Sequence, residues 1–87
     1  MKKISVITKR DGSTAPFKQE KITSAILKAG LATGEFKEEV AKVLSNQVMD
    51  RIIALDKDKE LHVETVHDIV EDVLLSSPYR LTAKAYI

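Results

Sequence analysis

Val6-Ile7-Thr8-Lys9-Arg10-Asp11-Gly12-Ser13-Thr14-Ala15-Pro16-Phe17, followed at once by Lys18-Gln19-Glu20-Lys21-Ile22, decides the fold of this chain. It reads as a short strand, a tight turn, a second short strand and the opening of a helix, with four cations spread along it. Asp11-Gly12 predicts a two-residue hairpin of type I′, which needs positive φ at both central positions. The hairpin returns Lys9 towards the segment that starts the helix. A helix N-terminus carries partial positive charge and unpaired N–H groups that suit phosphate. Lys18 and Lys21, three residues apart, share one face of that first turn. Read from the residues, this is a small anion site suited to a polyphosphate.

Outward from it, the first strand is expected over residues 3–9, rich in β-branched residues. The second covers 14–17, and Pro16 confines it to a sheet edge or to a position with no inward N–H. Helix one runs over 19–32, with Ile22, Ala25, Ile26 and Ala29 at i, i+3, i+4, i+7 spacing and Gly34 as its stop. Helix two covers 37–55, with Val40, Val43, Leu44, Val48, Ile52 and Leu55 on one stripe. Residues 56–60 form a solvated charged loop, and residues 61–63 a third short strand. Helix three, over 65–75, aligns Val66, Ile69, Val70, Val73 and Leu74. Ser77-Pro78 opens helix four as N-cap and first helical residue, with Leu81, Ala85 and Tyr86 as its apolar positions. These are still in phase at Ile87 with no Gly or Asn stop, so the natural helix is expected to run on. An α+β domain spanning 1–87 follows, a four-helix cluster capped by a small three-stranded sheet, and the chain reads as one unit excised from a larger protein.

With 87 residues there is room for one core, built mainly from Ile, Val, Leu and Ala because only Phe17, Phe36, Tyr79 and Tyr86 are aromatic. Net charge is +1, from 14 basic and 13 acidic residues. That balance gives no global pull on nucleic acid or acidic membranes, so an anion site has to be local. There is no cysteine, which excludes disulfides, thiolate metal sites and any thiyl-radical chemistry within this chain. The apolar run after Met1 is too short for a signal peptide, and cytoplasm is the expected compartment.

Three pieces in order carry a family resemblance: V-x-x-K-R-D-G-x-x-x-x-F-x-x-x-K-I from Val6, V-x-D-I-V-E from Val66, and Thr82-Ala83-Lys84-Ala85-Tyr86-Ile87. Together they resemble the ATP-cone domain, an allosteric attachment at the N-terminus of ribonucleotide reductases and in a repressor of their genes. The resemblance implies ATP or dATP as ligand, with Mg2+ accompanying the triphosphate and no transition metal held by the protein. It implies nucleotide-site roles for Lys9, Arg10, Lys18 and Lys21 on phosphate, Ile7 at the adenine, and His67 in contacting or transmitting the nucleotide signal. It further implies a regulatory unit without catalysis, whose partners are the catalytic domain of its parent and, with nucleotide, an oligomer. F-x-x-E-K-I together with T-A-K-A-Y-I is most like the anaerobic ribonucleoside-triphosphate reductases. A cationic residue beyond Ile87 would complete the site.

Each assignment has a plainer alternative. The four cations also suit a solvated strand edge that discourages aggregation, and alternation sends Lys9 and Arg10 to opposite faces of the strand. Ile7 is equally a core β-branched residue. His62 and His67, five apart without a third ligand, do not make a zinc site. Asp11 belongs to turn chemistry, and Glu64, Asp68 and Glu71 to the solvated face of helix three. For the whole chain, the runner-up is the ATP-cone of the repressor, disfavoured by the missing zinc ribbon. A DNA-binding module is disfavoured by balanced charge and by the lack of a basic stripe on any helix. A plain protein-interaction domain would show no nucleotide effect on stability.

Overall fold

A computed structural model of the protein describes residues 6–55 and 61–86. The charged loop expected at 56–60, the start of the first strand at 3–5, and Ile87 lie outside the described residues. The elements run β1 (Val6–Thr8), β2 (Thr14–Pro16), α1 (Gln19–Thr33), α2 (Glu38–Ile53), α3 (Val63–Ser76) and α4 (Arg80–Tyr86). The helices pack as a ring, α1 against α2 and α4, and α3 against the same two. Their shared interior holds Ile22 and Ile26 of α1, Leu44, Val48 and Ile52 of α2, Val70, Val73 and Leu74 of α3, and Ala83 of α4.

β1 and β2 pair antiparallel, with Val6 opposite Pro16, Ile7 opposite Ala15 and Thr8 opposite Thr14. The turn between them is not the expected type I′. Only Gly12 has positive φ, at 86°, and Asp11 does not. The Gly12 amide donates to the Lys9 carbonyl (3.0 Å) and the Lys9 amide to the Ser13 carbonyl (2.8 Å). That pattern is a three-residue loop with its left-handed residue last. Asp11 is kept out of the left-handed region by its own side chain, whose Oδ1 accepts from the Ser13 amide (2.9 Å) and hydroxyl (2.6 Å). Those bonds and the nearby Lys9 charge hold the Asp11 carboxyl below its ordinary pKa.

The expected third strand is reduced to one residue. Thr8 bridges His62 in parallel, and its amide donates to the Leu61 carbonyl at 2.8 Å. The ladder cannot extend further along the chain, because α3 already begins at Val63 and turns the backbone away. The sheet therefore has two strands, and the four helices keep the α+β class.

Two helix faces differ from the sequence expectation. On α2, Ala41, Leu44, Ser45, Val48 and Ile52 are buried, whereas Val43 is 55% exposed and Leu55, beyond the helix, is exposed. The buried Ser45 hydroxyl accepts from the Thr23 hydroxyl at 2.7 Å and from the Gln19 amide at 3.3 Å. A buried hydroxyl needs such partners, and meeting α1 through Ser45 rotates Val43 outward. On α4, Thr82 and Ala83 point inward while Leu81 is 58% exposed. Thr82 is drawn in by the Thr33 hydroxyl at 2.9 Å, and its amide donates to the Glu35 carboxylate. Ser77 is not the N-cap of this helix: it is the C-cap of α3, and α4 starts only at Arg80. The Ser77 hydroxyl donates to the Leu74 carbonyl at 2.6 Å and accepts from the Tyr79 amide at 3.2 Å.

α1 stops as its Gly34 predicts: φ is 75°, and the Glu35 amide reaches back to the Gly30 carbonyl at 3.1 Å. The chain then folds Phe36 under Gly30, where its ring meets Tyr79 edge-to-face at 4.9 Å. A methyl group at Gly30 would overlap that buried ring. Gly30→Ala, which at an exposed helix site adds about 1 kcal/mol, is therefore expected to cost about 1–3 kcal/mol by overpacking, read from denaturant unfolding. Glu35 gives a second test. Partial burial works against its charge, but hydrogen bonds from Thr82 and the Leu81 amide outweigh it and leave the carboxyl below its ordinary pKa. A lowered folded value contributes stability above the unfolded pKa of about 4.3 that is lost as the pH falls through the folded one. Glu35→Gln should flatten that part of the acid limb, measured as melting temperature between about pH 5 and 2.

Candidate functional site

Strand alternation puts Ile7 and Lys9 on one face of the hairpin, and its register places Ala15 beside Ile7. This face lies over the first turns of α1 and α3. Between them opens a cavity of about 290 Å³, walled by Ile7, Lys9, Phe17, Lys18, Lys21 and His67 among others. Ile22 and Ala25 of α1 and Val63, Val66 and Val70 of α3 complete an apolar lining, and Tyr86 closes it from α4. Three lysines thus contribute to a pocket whose lining is otherwise mainly apolar.

Two helix N-termini contribute as well. Lys18 and His62 are the N-cap residues of α1 and α3, both extended, and neither side chain hydrogen-bonds its own first turn. Gln19, which opens α1, turns its side-chain amide to Asn46 (2.8 Å) and Ser45 instead. The first turns of both helices thus border the pocket, with Lys18 and Val63 in the lining.

His67 and Tyr86 form a pair on the pocket wall. The phenol oxygen stands 3.4 Å from His67 Nδ1, with ring centroids 6.0 Å apart. Burial raises the Tyr86 pKa, and Glu71 adds to the effect, so the phenol stays protonated at neutral pH.

Of the six residues singled out from the sequence, five line the cavity: Ile7, Lys9, Lys18, Lys21 and His67. Arg10 does not. It lies on the opposite face, where its Nε is 3.5 Å from Glu64 Oε1. Asp11 is occupied with the turn, as its position implied. Phe17 and Tyr86 were not among the six. Both stand in the quoted motifs, and an aromatic residue beside clustered lysines was the signal for a pocket wall. Among the described residues no group of three or more His, Cys, Asp or Glu side chains is placed to hold a metal ion, and no helix is long and apolar enough to cross a membrane.

Fold and pocket together define a small α+β domain with a lysine-rimmed, apolar-lined cavity. The sequence matches the ATP cone domain family over residues 5–87, and the chain belongs to that family. It is 40% identical over 92 residues to the vitamin B12-dependent ribonucleoside-diphosphate reductase of Thermoplasma acidophilum, which covers 97% of this chain and 11% of that protein. It is 36% identical over 85 residues to the anaerobic ribonucleoside-triphosphate reductase of Salmonella typhimurium, covering 93% and 11%. With the ribonucleoside-diphosphate reductase subunit alpha of Chlamydia pneumoniae it shares 30% over 91 residues, covering 97% and 9%. The chain spans 11% or less of the length of these relatives.

Proposed function

We propose that this chain is a regulatory domain that binds ATP or dATP in the pocket between hairpin, α1, α3 and α4, and that it controls a ribonucleotide reductase. The observation that carries the reading is the meeting of Lys9, Lys18 and Lys21 with Ile7 and His67 around one apolar cavity, in a chain of the ATP cone family. Apolar walls such as Ile7, Phe17 and Val66 suit a purine base, and the lysines and two helix N-termini suit its phosphates. His67, hydrogen-bonded to Tyr86, is placed to sense the nucleotide and pass its presence to α4.

A donor set of lysines fits phosphate and not a cation, so Mg2+ accompanies the triphosphate as a counter-charge to its roughly four negative charges. Arg10 adds a fourth cation from outside the pocket. The parent is a reductase, and the F-x-x-E-K-I and T-A-K-A-Y-I pattern favours the anaerobic triphosphate-reducing kind, supported by the Salmonella relative. The partners are the parent's catalytic domain and nucleotide-dependent copies of the protein. ATP and dATP differ by one 2′-hydroxyl, so opposite effects need differential affinity for two states of the assembly.

Adenine nucleotides should therefore stabilise the chain more than GTP or CTP. Ligand at about 100 times its dissociation constant adds about 2.7 kcal/mol, visible as a rise in melting temperature. Equal shifts with ATP and CTP would count against base recognition, and no shift with any nucleotide would remove the binding claim. Lys9→Ala and Lys21→Ala should each weaken ATP binding by tenfold to a hundredfold, the value of one charge-assisted hydrogen bond of about 1.5–3 kcal/mol. Both side chains are exposed, so neither change should lower the melting temperature of the free chain. Calorimetric titration of the two variants is the check.

A further inference from the structure

We infer that Glu64 is a positioning residue for the nucleotide site: it holds Arg10 on the outer face of the hairpin, and a bound polyphosphate must draw Arg10 away from it. The inference rests on the nucleotide reading above and adds to it a residue that sets affinity by competing for the fourth cation.

The geometry begins at the parallel bridge between Thr8 and His62. The ladder ends at that bridge, and beyond it Arg10 stands in the hairpin turn and Glu64 in the first turn of α3. Their side chains meet at 3.5 Å, Nε to Oε1. Lys9, one residue before Arg10, lines the cavity, and Val63, one residue before Glu64, does too. The ion pair therefore sits at the cavity's edge without contributing to it.

Three features make the pair a transferable one. The side chains are 77% and 68% exposed, and exposed ion pairs contribute little. A guanidinium offers a planar fork of donors that matches phosphate two bonds at a time, whereas this contact uses Nε. Glu64 also lies in the first turn of α3, where the helix dipole favours a carboxylate, so it keeps a stabilising environment after Arg10 leaves. Glu64 lowers affinity through Arg10, and its effect should vanish when Arg10 is absent.

A double-mutant cycle on the full chain reads this directly. ATP with Mg2+ is titrated calorimetrically into the wild type, Glu64→Gln, Arg10→Ala and the double variant at low ionic strength. Glu64→Gln should bind about two- to fivefold more tightly than wild type, the scale of an exposed pair. The same change in the Arg10→Ala background should leave affinity unaltered. Glu64→Asp, which keeps the charge, should stay near wild type, and Asp68→Asn, an exposed acid on the same helix, should give no comparable gain. An equal gain in both backgrounds, or from Asp68→Asn, would reduce Glu64 to general charge repulsion and overturn the inference while leaving the nucleotide site intact. No gain in the wild-type background would also overturn it. A wild type that binds no ATP would overturn the nucleotide reading itself, and the inference with it.

Discussion

The pocket depends on one backbone contact, the hydrogen bond from the Thr8 amide to the Leu61 carbonyl at 2.8 Å. A two-stranded hairpin is marginal by itself in water, and this one has three residues per strand. It buries little: Val6 is exposed, and only Ile7, with Phe17 just after β2, packs partly against the core. The contact with Leu61 and the bridge to His62 fix where the hairpin lies over the helices. The placement of the hairpin's side chains follows from it: Ile7 and Lys9 over the cavity, Arg10 beside Glu64.

The helical part stands differently. Its interior is a closed ring of four apolar faces, and among the described residues no buried side-chain polar atom lacks a partner. The molecule thus joins a well-packed helical base to a lightly held cap. Binding sites tend to sit on parts of low local stability, and a ligand that touches both layers contributes the contacts the cap lacks.

Much of this was legible in the sequence because the signals were periodic or stereochemical. The α3 stripe of Val66, Ile69, Val70, Val73 and Leu74 is buried as its spacing requires, and Gly34 ends α1 in the left-handed region. The failures share a cause: local chemistry was read without its tertiary partners. Asp11-Gly12 favours a type I′ turn only if Asp11 is free to take positive φ, and Ser13 claims its carboxylate first. Val43 and Leu81 look like core residues until Ser45 and Thr82 find hydroxyl partners on α1 and turn those faces outward. In each case a buried hydroxyl, satisfied across a helix interface, outranked a larger apolar side chain in setting the rotation of the helix. The third strand failed on length, since residue 61 starts too close to the first turn of α3. Among the candidate residues, the side of the hairpin taken by Ile7 and Lys9 and the shared face of Lys18 and Lys21 were readable as positions on the cavity wall. Alternation also put Arg10 on the face opposite Lys9, but its pairing with Glu64, 54 residues away in the chain, was not readable.

The composition of the cavity wall gives the arrangement its consequence. Its residues come from β1, β2, α1, α3 and α4, so an occupant would contact the cap, two helices of the base and the last helix at once. α4 is short and is held by the Thr82 to Glu35 and Thr33 contacts at one end and by Tyr86 against His67 at the other. His67 belongs to the second of these attachments and not to the first. The free energy that binding of any occupant can transmit is limited to the difference in its affinity between two arrangements of the domain. The cavity thus joins a closely packed helical base, a lightly anchored cap and α4, which reaches the lining through Tyr86 alone.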